Sequence, residues 1–485
     1  MFLKAGAFSL GLLLASRLLG LLRESAQAAA FGASGVGDVV VLMLTLPDWL
    51  TGVVASGALA YVLVPAWAGR SVAQVRATQR KLAFALLGGG SLLALLLALF
   101  RGPAAAWLAG GVTPAMHDAA AEALAWSALA LPAALLASLW ATRLQHEQDF
   151  PGMYAANLVV NGALIAAILW SGMLAPTGPV TLLGAGLLLA MLLRLAWLRF
   201  RIPARGAVSQ LDSSEAEPLP HASIWLWASL SAGLPLALPF AARSIASQSG
   251  EGALATFNYA WKLVELPLLL AVQLVVTLAL PAISKAVAAN DATSTAAAVR
   301  GSFALAWALA CAAAAALLLG APAVAGLLFG WGRMDAQAVS LVAQWGAIGA
   351  WGLLPQAIIA VALAVLAAQG RMRSAVLAHA VVLALLLMYA VRGSADGARL
   401  MMVLNVLQAA VAVVVLTALG SRLRAWLPWR SMVISLACLV FLAGLAAQLP
   451  AWGLWSGLAV AALAGILVVA VTWWGSADLR ATLAR

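Results

Sequence analysis

Apolar residues run through this chain in long blocks, each ended by glycine, proline or charge, and the blocks recur at a length suited to one passage through a bilayer. Fourteen can be read, near residues 6–31, 36–68, 82–100, 119–145, 153–172, 179–200, 223–248, 253–285, 300–329, 336–368, 372–392, 398–420, 430–449 and 452–475. A straight helical span needs roughly twenty apolar residues, so the longer blocks are expected to tilt, kink or project beyond the hydrocarbon. The expected fold class is an all-α polytopic membrane protein of about 14 transmembrane helices.

One segment interrupts the series. Residues 201–222 carry Pro203, Pro218 and Pro220 among Asp212, Ser213, Ser214, Glu215 and Glu217, a polar, breaker-rich cytoplasmic linker. It divides residues 1–200, an N-lobe of six spans, from residues 223–420, a C-lobe of six more, while 421–485 holds the thirteenth and fourteenth spans and a tail, read as an appendage. The lobes open alike: Asp38 stands nine residues before Pro47 and Asn258 nine before Pro267, and Leu46 and Leu266 precede the prolines. Two pseudo-symmetric six-helix lobes are what a duplicated transporter core shows.

Composition agrees. The chain is 65% hydrophobic and 9% charged, with a mean hydropathy of +1.03, beyond what a soluble core requires. Its net charge of +11 is spread through short loops with no basic patch interleaved with aromatics, so it speaks for topology and against nucleic acid. On the side shared by both termini stand nineteen basic residues: Lys4, Arg70, Arg76, Arg80, Lys81, Arg143, Arg194, Arg199, Arg201, Arg205, Lys285, Arg300, Arg371, Arg373, Arg422, Arg424, Arg430, Arg480 and Arg485. The opposite side has four, Arg101, Arg333, Arg392 and Arg399. Both termini are therefore expected in the cytoplasm, and a miscounted span would scramble this asymmetry. Residues 1–25 are expected to stay as a first span, because the apolar run meets Arg17, Arg23 and Glu24 instead of a small-residue cleavage site. Cys311 and Cys438 lie in apolar blocks and read as packed or lipid-facing small residues.

Four cations remain inside spans: Arg17 and Arg23 in the first, Arg243 in the seventh and Lys262 in the eighth. Each must face protein or water, since hydrocarbon leaves a charge unsolvated, and together they point to an anionic cargo. Asn258, Lys262 and Glu265 have i, i+4 and i, i+3 spacing and share a helix face; the face either lines a cavity or holds a Lys–Glu pair that neutralises itself. Snorkelling to an interface is the lesser alternative for Arg23 and Arg243, and Arg17 near mid-span is harder to explain that way. Glu24 is a candidate partner for a neighbouring helix, and Asp48, after Pro47, for a helix restart. The chain has no phosphate-binding glycine loop with Lys and Ser/Thr, and His117, His146, His221 and His379 are scattered, so no enzyme site, metal or cofactor is expected. Gly88, Gly89 and Gly90 read as a close-packing site, and energy is expected from an ion gradient or the membrane potential.

The run Ser16-Arg17-Leu18-Leu19-Gly20-Leu21-Leu22-Arg23-Glu24, followed by Phe31-Gly32-Ala33, Asp38, Leu46-Pro47, Gly57-Ala58 and Val64-Pro65, resembles the opening of the MviN/MurJ family of lipid II flippases, in the superfamily that includes MATE exporters and polysaccharide flippases. Arg243, Ala246-Ser247, Gly252, Tyr259-Ala260, Leu263, Leu266-Pro267 and Pro281 extend the resemblance into the second lobe. It implies a two-lobed, V-shaped alternating-access carrier of the bacterial inner membrane. In such a carrier a central basic cavity holds the diphosphate and sugar of a polyprenyl-diphosphate-linked glycan, and the last two spans form a groove for the polyprenyl tail. The substrate-binding set so implied, joined to the residues weighed above, is Arg17, Arg23, Asp38, Arg243, Asn258, Lys262 and Glu265. The chain departs from the family where its adjacent arginine pair falls on Thr51 and Gly52, and where Lys262, beside Trp261, replaces an arginine. Lysine meets phosphate as a point charge without the two-pronged guanidinium fork. Lipid II is the first expected cargo, with another lipid-linked glycan as the alternative; a cation-coupled drug antiporter would call for buried acids in place of buried bases. Cell-wall synthesis proteins are candidate partners.

Overall fold

The computed structural model describes residues 2–175, 178–202, 220–392, 396–449 and 452–483, without the side chains of residues 2–10, 55–57, 273–274, 277–278 and 421. Most of the expected linker lies outside the described residues, as does Arg485. Among the described residues every regular element is a helix. Each of the fourteen apolar blocks coincides with one helix or with a helix broken near its middle. Among the described residues eleven helices are long and apolar enough to cross a membrane, twelve if Ala336–Ala350 and Leu353–Ala368, bent by 49°, count as one. The remaining two blocks are the first helix, Phe2–Phe31, charged at Arg17, Arg23 and Glu24, and the eighth block, which is interrupted.

Capping sets where several helices begin. Ser71 accepts from the Gln74 amide while the Gln74 side chain accepts from the Ser71 amide, so the third span, Val72–Leu99, starts ten residues before its apolar block. Asp291, Asp335 and Asp396 cap the ninth, tenth and twelfth spans. Prolines account for the breaks. The second span runs as Gly35–Thr51, passes through a π-helix at Gly52–Leu59 and resumes as Ala60–Trp67; the eighth runs as Ala253–Pro267, a π-helix at Leu268–Val272, then Gln273–Ala288. Pro47 has no N–H to offer the Met43 carbonyl one turn earlier. The hydroxyl of Ser127 on the fourth span takes over that bond at 2.6 Å.

The chain forms two compact units, Met1–Phe240 with Ser247–Ala255, and Ala241–Ala246 with Thr256–Arg485. In the first, the fourth span, His117–His146, is the hub, packed on the second, third and sixth, while the first packs along the fifth. Of the three consecutive glycines only Gly90 is closely packed, against Pro132 and Leu135; Gly88 and Gly89 face open space. In the second unit the ninth span, Ala292–Phe329, is the hub and packs on the tenth, thirteenth and fourteenth. The last two spans, expected as an appendage, pack closely on it. Gly457, Ala461 and Gly465 of the fourteenth are spaced four apart and meet Ala312, Ala316, Gly320 and Ala323 of the ninth, and a Cβ on Gly320 or Gly457 would collide with the facing alanine. Trp307 Nε1 donates to the Met432 carbonyl at 3.2 Å, fixing the thirteenth as well.

Candidate functional site

The first unit assembles its charges from three spans. Arg23 and Glu24 are buried on the first helix, with 8% and 4% of their surface exposed. The Arg23 guanidinium donates through Nη2 to Glu24 Oε1 at 2.8 Å and to Asp48 Oδ2 on the second span at 2.9 Å. A cation at this depth is tolerable only with such acceptors. The sequence expectation sent Glu24 to a neighbouring helix and gave Asp48 to a helix restart; the structure brings both to Arg23. The Asp48 side chain stays 45% exposed, so the cluster is open on one side. Arg17 lies six residues before Arg23, about 9 Å along the axis. It is exposed and interacts electrostatically with Tyr154 of the fifth span.

The third contributor was missed from sequence. Arg194 sits fourteen residues into the sixth span, Val180–Arg201, with Nε enclosed and facing no acceptor among the described residues. It interacts electrostatically with Asp48. Sequence reading assigned it to the cytoplasmic run that continues through Arg199 and Arg201. The available signal was its distance from that end, seven residues or about 10 Å of helix before Arg201.

Asp38 stands apart from this cluster, ten residues or about 15 Å along the second span from Asp48. It is fully buried, and its two oxygens accept from the backbone N–H groups of Gly252 and Ala255, each at 2.7 Å. Glu251 returns the interaction by accepting from the Gly35 N–H at 2.9 Å, beside Ser34, which caps the same helix by accepting from Gly37. Two helix N-termini, each a partial positive charge, are thus neutralised by carboxylates exchanged between them. Gly252 adopts φ +79°, and a Cβ there would meet the Ala33 carbonyl, which holds the exchange tight. Where the arginine pair of the resembled family is missing, Thr51 Oγ1 donates to its own backbone at Asp48 and a Cβ on Gly52 would press on Leu236. Trp49 stacks on Phe240 alongside, with centroids 5.0 Å apart.

In the second unit Lys262 Nζ lies 2.7 Å from Glu265 Oε2, with side chains 22% and 29% exposed, so the i, i+3 spacing does bring the two together. Asn258, one turn earlier, is fully buried, and Arg243 is half-buried on the seventh span. A cavity of about 270 Å³ lies among the ninth, thirteenth and fourteenth spans, walled by the apolar residues Leu318, Leu319, Pro322, Ala446, Leu449 and Trp452, with polar atoms also exposed in its wall. Among the described residues no group of His, Cys, Asp and Glu could hold a metal ion.

This arrangement can hold an oxyanion in the first unit and hydrocarbon in the second. A family model described as lipid II flippase MurJ matches residues 27–471. A lipid II flippase MurJ from Burkholderia cenocepacia is 26% identical over 368 residues, covering 71% of this chain and 68% of that protein. Among solved structures, a lipid II flippase MurJ in an inward closed conformation superimposes with a TM-score of 0.80 at 15% identity, over 99% of this chain and all of the other. An inward-facing MATE family multidrug resistance transporter of the MOP superfamily gives 0.67 at 13% identity, over 87% of this chain and 98% of its own. At such identities the two structures speak for the fold.

Proposed function

The chain belongs to the MurJ family of lipid II flippases, and on that premise we propose that it carries lipid II from the cytoplasmic to the periplasmic leaflet of the bacterial cytoplasmic membrane by alternating access. No covalent step is involved, and both termini lie in the cytoplasm. The observation that carries the reading is the set of guanidinium groups inside the first unit. Arg17 is exposed and ready to meet a diphosphate, and Arg23 is held by two carboxylates, one of them partly open. A diphosphate supplies the acceptors such groups need within a membrane. Within the second unit Lys262 offers a cargo anion a point charge oriented by Glu265, with Asn258 and Arg243 as further polar residues of that unit. Asp38 positions helices, since both its oxygens are engaged by backbone. The cavity beside Trp452, walled by apolar residues, takes part of the polyprenyl tail. The membrane potential acts on these charges, worth about 2.3 kcal/mol per charge per 100 mV.

The test is rescue of a bacterium depleted of its own lipid II flippase. Growth with normal wall synthesis is expected; failure despite verified membrane insertion overturns lipid II as cargo. A second reading, flipping of another polyprenyl-diphosphate glycan, is favoured by Thr51 and Gly52 standing where the family has two arginines. Loss of one surface polysaccharide on deletion, with wall growth intact, would select it. Reporters fused after Arg205 and after Arg485 should both behave as cytoplasmic, and periplasmic activity at either overturns the orientation.

A further inference from the structure

One charge cluster of the first unit joins Arg23 and Arg194 to Glu24 and Asp48, with Arg17 six residues before Arg23 on the same helix. Hydrogen bonding distributes them unevenly. Arg23 takes both carboxylates, through Glu24 Oε1 and Asp48 Oδ2. Arg194 balances the remaining charge at a distance, through its interaction with Asp48, yet its Nε–H is enclosed where no acceptor among the described residues meets it. Arg23 Nε is enclosed in the same way, but Arg23 Nη2 already holds both acids, whereas Arg194 hydrogen-bonds to neither. A guanidinium that only neutralised Asp48 would gain by closing a two-pronged contact with it, and Asp48, 45% exposed in its side chain, leaves room for one.

Snorkelling does not explain the position either. Arg194 lies about 10 Å of helix before Arg201, and its Nε is buried instead of lying at the surface. Arg201 and Arg199, nearer the end, behave differently: Arg201 forms a bidentate pair with Asp149 at 2.8 to 3.0 Å, and Arg199 lies over the Trp140 ring at 5.7 Å. Of these three arginines of the sixth span, Arg194 is the one whose buried donor faces no acceptor.

Building on the function proposed above, we propose that Arg194 is a direct ligand for the cargo's phosphoryl oxygens, closing on them from the sixth span while Arg23 stays tied to Glu24 and Asp48. The chemistry is that of a diphosphate, linked to a prenyl chain and a sugar or free in solution. An oxyanion entering on the open side of Asp48 supplies the acceptor that the Arg194 fork lacks. Arg194 is then the cation that engages and releases with each cycle, and Arg23 the one that stays put.

The test uses the full-length protein purified in detergent, with farnesyl diphosphate, inorganic pyrophosphate and uncharged farnesol as titrants. Wild-type protein should bind farnesyl diphosphate far better than farnesol; if it does not, the flippase reading itself fails and this proposal with it. Given that binding, Arg194→Gln should weaken farnesyl diphosphate by roughly tenfold or more, the loss of a charge-assisted contact, and leave farnesol unchanged. Arg194→Lys should fall between. Unchanged diphosphate affinity in Arg194→Gln overturns the assignment while leaving the function standing. Pyrophosphate separates the sources: a matching loss shows that Arg194 reads the anion alone, and a loss confined to the prenyl compound ties it to the lipid-linked form. Thermal stability is the structural control. Removing an enclosed donor that has no acceptor should leave the melting midpoint unchanged or raise it, whereas a fall in the midpoint together with weaker farnesol binding would mark a structural role and overturn the proposal.

Discussion

The second and eighth spans share one construction and differ in how they place charge. Each has a fully buried polar residue, Asp38 or Asn258, nine positions before the proline of a Leu-Pro step, and each passes into a π-helix after the proline, at Gly52–Leu59 or Leu268–Val272. A proline deletes a donor and crowds the preceding turn, and a π-turn absorbs the resulting mismatch, often at functional sites. In the second span the acid after the proline, Asp48, is held by Arg23 from another helix. In the eighth the charges pair within one helix, Lys262 with Glu265. A tie between helices constrains packing; a tie within a helix constrains only the side chains that make it. The same hinge is thus built into the frame of the first unit and carries a Lys–Glu pair on one helix face in the second.

The largest effect should follow from cutting the tie between helices. Arg23→Ala takes the guanidinium from two carboxylates, one of them 5% exposed, and should cost about 3 kcal/mol, the lower end for a broken buried pair because Asp48 is partly open. Transport and thermal stability should fall together. A variant as stable as wild type would remove the frame role assigned to this cluster.

Asp38→Asn ranks second. Asparagine keeps one acceptor and turns its amide toward the other backbone N–H, so a loss of about 2 kcal/mol is expected, typical of a hydrogen bond to a charged group. Amide exchange should locate the damage at Gly252 and Ala255, whose N–H groups Asp38 now accepts. Protection unchanged at both would show that the second span does not need this carboxylate.

Ser127 tests the proline itself. Its single proton goes to the Met43 carbonyl at 2.6 Å, closer than the 3.0 Å to Ala123, and so fills the gap left by Pro47. Ser127→Ala should cost about 1 kcal/mol or less, the range for single hydrogen bonds between membrane helices. In a Pro47→Ala background the restored N–H reaches Met43, and the same substitution should cost less still. Equal costs in both backgrounds would break the link between this serine and the hinge.

These contacts mark where the sequence was legible. The fourteen blocks were visible because hydrophobic length is a property of each segment alone. Helix starts were less so: Ser71 with Gln74 and Asp291 begin their helices in polar sequence, outside the apolar count. The Lys262–Glu265 pair could be read from i, i+3 spacing, since helix geometry fixes such neighbours. Arg23 and Asp48 are 25 positions apart, and no local rule pairs them. Arg194 was hidden by its neighbours, because a basic run near a span end looks like a loop until the depth of its first member is known. Glu251 was overlooked for a related reason: a carboxylate that caps a helix far away in sequence leaves no periodic trace.

The smallest effect on stability, and the sharpest on transport, should come from the eighth span. Lys262 and Glu265 form a partly exposed i, i+3 pair, so Lys262→Ala should change stability by about 0.5 kcal/mol or less. If the lysine meets the cargo, rescue of a flippase-depleted strain is nevertheless lost, and Lys262→Arg keeps it. If the pair only neutralises itself, the single variant fails because Glu265 is left as a bare acid within the span, and changing both residues to alanine restores rescue. Recovery in that double variant would make the pair as structural as the Arg23 cluster and erase the contrast between the two spans. Continued failure, with stability near wild type, would place cargo recognition on the eighth span.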